Sequence, residues 1–247
     1  RLMAYAATMA AQAASTAEQW QPAQPFDIAQ AMNYLTLRIV GQTLFSADLS
    51  PQVARIADAL DALLGFSDPI QLLLAPLLGW LPTPAAHRYR AAHATFDALI
   101  FGLIDARRGQ GLGADDLLGL LLASVDGETG QPVDDVFIRD QALTLLLAGH
   151  ETTANALAWC WHLLAAHPET EARLHAELDR LFPQGENPTF ETVSELVYTR
   201  AVLSESMRLY PPAWAIGRSA AVECSIGGYT VPAGSMVILS QWATHRA

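Results

Sequence analysis

The chain has 247 residues, 51% hydrophobic and 16% charged, enough apolar material for one large core or two small ones. A formal charge of −11, with arginine at all 14 basic positions, argues against a nucleic-acid surface, which needs clustered cations to neutralise phosphates. The only cysteines, Cys160 and Cys224, are too far apart for a disulfide framework or a zinc site and point to a reducing, cytoplasmic setting.

In chain order, 1–19 is Ala-rich and reads as helix, broken by the two prolines between Gln21 and Pro25. Asp27 can cap a second helix whose Ile28, Ala31, Leu35 and Ile39 recur near helical spacing. Residues 51–64 and 85–108 read as further helices. The most apolar stretch, Pro69 to Pro82, lies between them. Pro76 interrupts it and it is too short to cross a bilayer. No signal peptide opens the sequence, and an anchor ahead of Arg1 would lie outside it. The Gly-rich run 109–113 is a turn, 115–124 a short helix and 126–132 a polar loop. The longest helical run, 134–166, would extend roughly 48 Å at about 1.5 Å per residue. Pro168, with Glu169 and Glu171 behind it, starts a helix that stops before Pro183. Thr192 and Glu195 have capping-box spacing for a helix that Pro211 and Pro212 must end. Beyond Ala213 the texture turns β-like at 222–226 and 236–239, with turns at Gly227-Gly228 and Pro232-Ala233-Gly234. The expected class is mainly α, with small β elements near the C-terminus.

Two strings break local rules. Ala148-Gly149-His150-Glu151-Thr152-Thr153 sits inside an apolar helical run, although a mid-helix Gly costs about 1 kcal/mol relative to Ala and an unpaired buried carboxylate is expensive. The small pair Ala148-Gly149 lets a flat ligand lie close to the backbone. The Thr152 hydroxyl can bond back to a carbonyl one turn earlier and open the helix. An acid beside an alcohol at such an opening would serve as a proton relay. A helix that merely tolerates Gly, with its polar residues facing solvent, would show the same string. A zinc-protease pattern fails, because Ala154 stands where the second histidine is required. In the second string, Glu205 and Arg208 form E-x-x-R just ahead of Pro211-Pro212, three residues apart and on one helix face.

In this order and spacing, the motifs resemble those of the cytochrome P450 superfamily. The string from Ala148 to Thr153 resembles the oxygen-activation motif of its long central helix, and Glu205 and Arg208 its E-x-x-R. Arg218 before a hydrophobic strand, and the turn Val231-Pro232-Ala233-Gly234, resemble the family's next segment toward the C-terminus. The resemblance is specific over 139–247 and only consistent, through helix order and length, over 1–122. It implies one partial P450 domain over 1–247, heme b (iron protoporphyrin IX) as cofactor, and a monooxygenase that inserts one atom of O2 into an apolar organic substrate. Electrons would come from a reductase or ferredoxin, fused or separate. Glu151 and Thr152 would be catalytic, delivering protons. Ala148 and Gly149 would approach the heme, Arg218 would contact a propionate, Glu205 and Arg208 would be a buried structural pair, and Ala213, Trp214, Ala215 and Ile216 would line the substrate pocket. A surface arginine beside a strand is the plain alternative for Arg218.

The family's axial cysteine lies in a Gly- and Arg-containing loop. Neither Cys160 nor Cys224 has that loop around it, so no metal ligand is assigned, and the chain reads as an internal fragment, inactive alone. His150 would pack near the pocket. The alternatives are a non-catalytic helical ligand-binding domain and a degenerate P450-like protein.

Overall fold

The computed structural model describes residues 2–21, 23–64, 83–110 and 116–247. The chain divides into two compact units, Arg1–Glu151 and Thr152–Ala247.

The first unit is helical. Helix α1 spans Leu2–Ala17 and α2 spans Ile28–Phe45. Asp27 caps α2 as expected, its carboxylate accepting the Gln30 amide at 3.0 Å. A 3₁₀ turn at Ser50–Gln52 leads into α3, Val53–Leu64. Helix α4, Pro84–Gln110, buries Phe96, Ile100 and Ile104, four residues apart on one stripe. The α5 turn, Leu117–Leu122, is capped by Asp116, which accepts the Gly119 amide at 2.8 Å. With Ile138 and Leu146 from the start of α6 (Asp135–Ala166) these helices close one apolar core that includes Leu37, Phe45, Ile56 and Leu118. Among the described glycines Gly41 is the most tightly enclosed: a Cβ there would sit 2.8 Å from Leu49 Cγ and 2.9 Å from the Ala47 carbonyl.

A buried ion pair ties the loop ahead of α5 to this core. Arg107 grips Asp116 with two bonds of 2.8 and 2.6 Å and donates a third, 2.8 Å, to the Phe45 carbonyl at the end of α2. Burial alone would raise the Asp116 carboxyl. Hydrogen bonds from Arg107, Ser46 and the Gly119 amide outweigh it and hold the group at about 2.

The second unit holds the rest of α6, then α7, Pro168–Leu181, and α8, Val197–Leu209. Pro168 is the first residue of α7, as its fixed φ favours, and α7 ends before Pro183. The capping box expected from Thr192 and Glu195 does not form: 192–195 is a 3₁₀ turn, and Leu196 intervenes before α8. The amides at the head of α8 are capped by a residue of α7 instead. The Glu177 carboxylate accepts Tyr198 N at 2.7 Å, and Thr199 N and Thr199 Oγ1 at 2.8 Å each.

Strands β1 (Ile216–Ser219), β2 (Cys224–Ile226), β3 (Tyr229–Val231) and β4 (Met236–Leu239) form two antiparallel pairs, β1 with β4 and β2 with β3. Gly227 and Gly228, at φ +57° and +85°, give the two positive dihedrals of a tight β2–β3 hairpin. The Pro232-Ala233-Gly234 turn is present, with Gly234 at φ +79°, but it joins β3 to β4, which belong to different pairs. A four-residue α9, Gln241–Thr244, comes last.

The run 69–82 and residues 111–113 of the Gly-rich turn lie outside the described residues, as does Asp115, the expected start of the short helix; Gly109 and Gln110 still belong to α4. Among the described residues no helix is long and apolar enough to cross a membrane.

Candidate functional site

Helix α6 stays α-helical through the motif, so the opening expected at Thr152 is not seen. What the helix offers is an exposed face. Leu145 is 41% exposed, Ala148 and Gly149 are exposed, and helical spacing puts Thr152, also exposed, on the same stripe. Glu151 is half-buried.

Among the described residues a Cβ on Gly149 would meet Val40 Cγ2, at 3.7 Å, an ordinary contact. The protein's own packing would therefore accept alanine, which a helix prefers by about 1 kcal/mol. Packing among the described residues does not require this glycine. The small side chains of Ala148 and Gly149 on that exposed face leave room for a planar macrocycle.

The buried polar member of the motif is His150, expected from its place in the string to pack near the pocket. It is 3% exposed, and its Nε2 lies 3.2 Å from the Asn33 carbonyl of α2. That contact requires the proton on Nε2, leaving Nδ1 an acceptor without a hydrogen-bond partner among the described residues. Burial pushes the imidazole pKa below its ordinary value, opposed by the bond to Asn33. His150 is thus a neutral packing group between α2 and α6.

Glu205 and Arg208 pair as their spacing predicts. Arg208 Nε and Nη2 each bond one carboxylate oxygen at 2.7 Å, and Nη1 donates to the His245 carbonyl at 2.7 Å. The Arg208 hydrogen bonds hold the Glu205 carboxyl below its usual value. The pair is not buried, however: the Arg208 and Glu205 side chains are 44% and 56% exposed. Exposed pairs contribute little. Glu205→Gln is therefore expected to lower the Tm of this chain by less than about 3 °C. Loss of cooperative melting would mean that the pair is buried after all.

Arg218 stands on β1 opposite Val237, exposed, with Nη1 donating to the Gly217 carbonyl at 2.9 Å. Ahead of it Trp214 is 62% and Ile216 37% exposed, Ala213 is exposed and Ala215 half-buried. The Trp214 carbonyl accepts the Trp242 amide at 3.2 Å and so anchors this stretch to α9. A contact that sequence spacing does not signal lies nearby: the Trp159 and Tyr210 rings stack 4.0 Å apart at 2°. Arg246 covers Tyr210 and Trp242, at 5.5 and 4.3 Å from the ring centres, and bonds the Leu209 carbonyl at the end of α8.

Both cysteines are free thiols, Cys160 buried and Cys224 exposed. Among the described residues no group of three or more His, Cys, Asp or Glu side chains could hold a metal ion.

The family model for Cytochrome P450 matches residues 2–247. Across its whole length the chain is 42% identical to cyclooctat-9-en-7-ol 5-monooxygenase of Streptomyces melanosporofaciens, and it covers 54% of that protein. It is 35% identical to pentalenene oxygenase of Streptomyces avermitilis, with the same shares covered. The crystal structure of the cytochrome P450DA heme domain superposes over 99% of this chain and 54% of its own, with TM-score 0.82 and 31% identity. The chain thus spans about half the length of the curated relatives it matches. It belongs to the cytochrome P450 family, and its mainly helical architecture is the P450 fold. Family and heme-domain neighbours alike support heme as the cofactor.

Proposed function

We propose that this chain is the part of a heme-dependent monooxygenase that carries its proton-delivery helix, acting on an apolar organic substrate. The observation that carries the reading is the exposed Ala148-Gly149 face, kept free of side-chain bulk at a cost in helix propensity. Heme, when bound, supplies the activation of O2. The exposed Thr152 hydroxyl would hold a proton at Oγ1, and the half-buried Glu151 carboxyl would exchange protons between solvent and that hydroxyl. Ala148 and Gly149 admit the macrocycle, and the Arg218 guanidinium suits a propionate carboxylate. Glu205 and Arg208 hold α8 to the His245 carbonyl. Ala213, Trp214, Ala215 and Ile216 line the substrate side, and their apolar character suits compounds of the kind the relatives' names give, cyclooctat-9-en-7-ol and pentalenene. Electrons come from a reductase or ferredoxin, and the setting is the cytoplasm.

The test is to add hemin to the purified chain, reduce it under carbon monoxide and record the Soret band. A heme complex without the red-shifted band of thiolate ligation is expected, because burial pushes the Cys160 thiol pKa up and so disfavours its thiolate, and Cys224 is exposed on a strand with no enclosing loop. A red-shifted band would place one of these cysteines on iron. No spectral change on adding hemin would remove the heme reading.

A further inference from the structure

The proton path proposed above uses Glu151 and Thr152 and leaves out His150, which lies between Gly149 and Glu151. Among the described residues it is the only buried histidine. It joins the motif to α2, its Nε2 donating to the Asn33 carbonyl at 3.2 Å across 117 residues of sequence. At about 3.6 residues per turn, Ala148 stands roughly 160° around α6 from His150. Holding the imidazole against α2 therefore turns Ala148 to the open side, where it is exposed.

Only the neutral ring suits this contact. A second proton, on Nδ1, would bury an N–H for which no acceptor stands among the described residues. The titratable and charged side chains nearest along the two helices are Tyr34 and Arg38 on α2 and Glu151 on α6. All three are half-buried, and none bonds Nδ1. Burial lowers the imidazole pKa from an ordinary 6.5, against the pull of the Asn33 carbonyl. A histidine lowered in this way leaves stability whole above its ordinary value and withdraws it as pH falls below that value. Charging His150 thus favours its release from α2.

We propose that His150 is a positioning residue, an acid-sensitive tether that fixes the Ala148-Gly149 face of α6 while neutral and lets the motif turn detach from α2 when protonated. What the tether positions rests on the heme reading above; the tether itself does not. The test follows the heme-free chain from pH 7.5 to pH 5.5 by NMR of its histidine rings. Amide hydrogen exchange, corrected for its intrinsic pH dependence, is read over 30–40 and 146–152. The His150 ring should titrate below 6.5. Protection of both segments should fall several-fold, toward the limit of about tenfold that one proton sets over the unit below its ordinary pKa. His150→Gln keeps an N–H donor without a titratable ring, and its protection should stay constant over the range. Hemin affinity, read in the Soret region, should fall with the same profile in wild type relative to His150→Gln. A wild-type His150 ring that titrates at or above 6.5 would overturn the proposal, and that reading decides it even if the variant fails to fold. An equal acid loss of protection in a folded His150→Gln would overturn it as well. Hemin bound with the same pH profile by both proteins would overturn the positioning role. Failure to bind hemin at all, with the exchange profile as expected, would remove the heme reading and leave the tether standing.

Discussion

Asp116→Ala is expected to cost the first unit about 3–5 kcal/mol, because it leaves the Arg107 guanidinium buried without its counter-charge. The Arg107 side chain is 8% exposed and that of Asp116 4%, so solvent cannot stand in for the lost partner. The substitution also removes the cap on the Gly119 amide. Urea unfolding of wild type and variant measures the difference, and a cost below about 1 kcal/mol would mean that the pair is solvated. The pair also predicts an acid profile. The carboxyl is held at about 2 in the folded chain against an ordinary 3.8, so its stabilisation is complete above the ordinary value. It fades as pH falls from roughly 5 to 2, and amounts to on the order of 2 kcal/mol. Asp116→Ala should flatten the stability curve in that window.

Phe96→Ala should cost a similar amount, about 3–5 kcal/mol, for a different reason. Phe96 is 0% exposed on α4, in the same core as Ile56, Ile100 and Leu118. Truncation removes a ring's worth of burial and leaves a cavity that rigid helices cannot fully collapse into. The same urea measurement checks it. The two losses differ in pH dependence: the Phe96→Ala deficit should stay flat between about pH 5 and pH 3, where that of Asp116→Ala shrinks. A deficit at position 96 of under about 1 kcal/mol would show that α4 is loosely packed there.

The elements readable from sequence are those fixed by neighbours along the chain. Asp27 as a cap, Pro168 as a first helical residue and Gly227-Gly228 as a turn depend on a few local dihedrals. The family strings, from Ala148 to Thr153 and from Glu205 to Pro212, depend on order and spacing, which sequence preserves. Tertiary placement was not legible. Glu177 caps α8 from 21 residues away in place of the local Thr192 and Glu195. Arg107 reaches the Phe45 carbonyl 62 residues earlier, a partner no periodicity announces. Spacing correctly paired Glu205 with Arg208, but exposure is set by what packs over a helix, and here the pair is open. Likewise the buried polar residue of the motif is His150, while the Thr152 side stays open.

The Ala148-Gly149 face of α6 is proposed to receive heme. The most direct measurement is a hemin titration of the wild-type chain and of Gly149→Leu, followed in the Soret region, with a thermal melt of each. The leucine projects from an exposed helix position, so the fold should keep its Tm within a few degrees. Saturable binding by wild type, weakened at least tenfold in the variant, is the predicted result. Equal affinity in two equally folded proteins would contradict the claim and place hemin elsewhere on the chain.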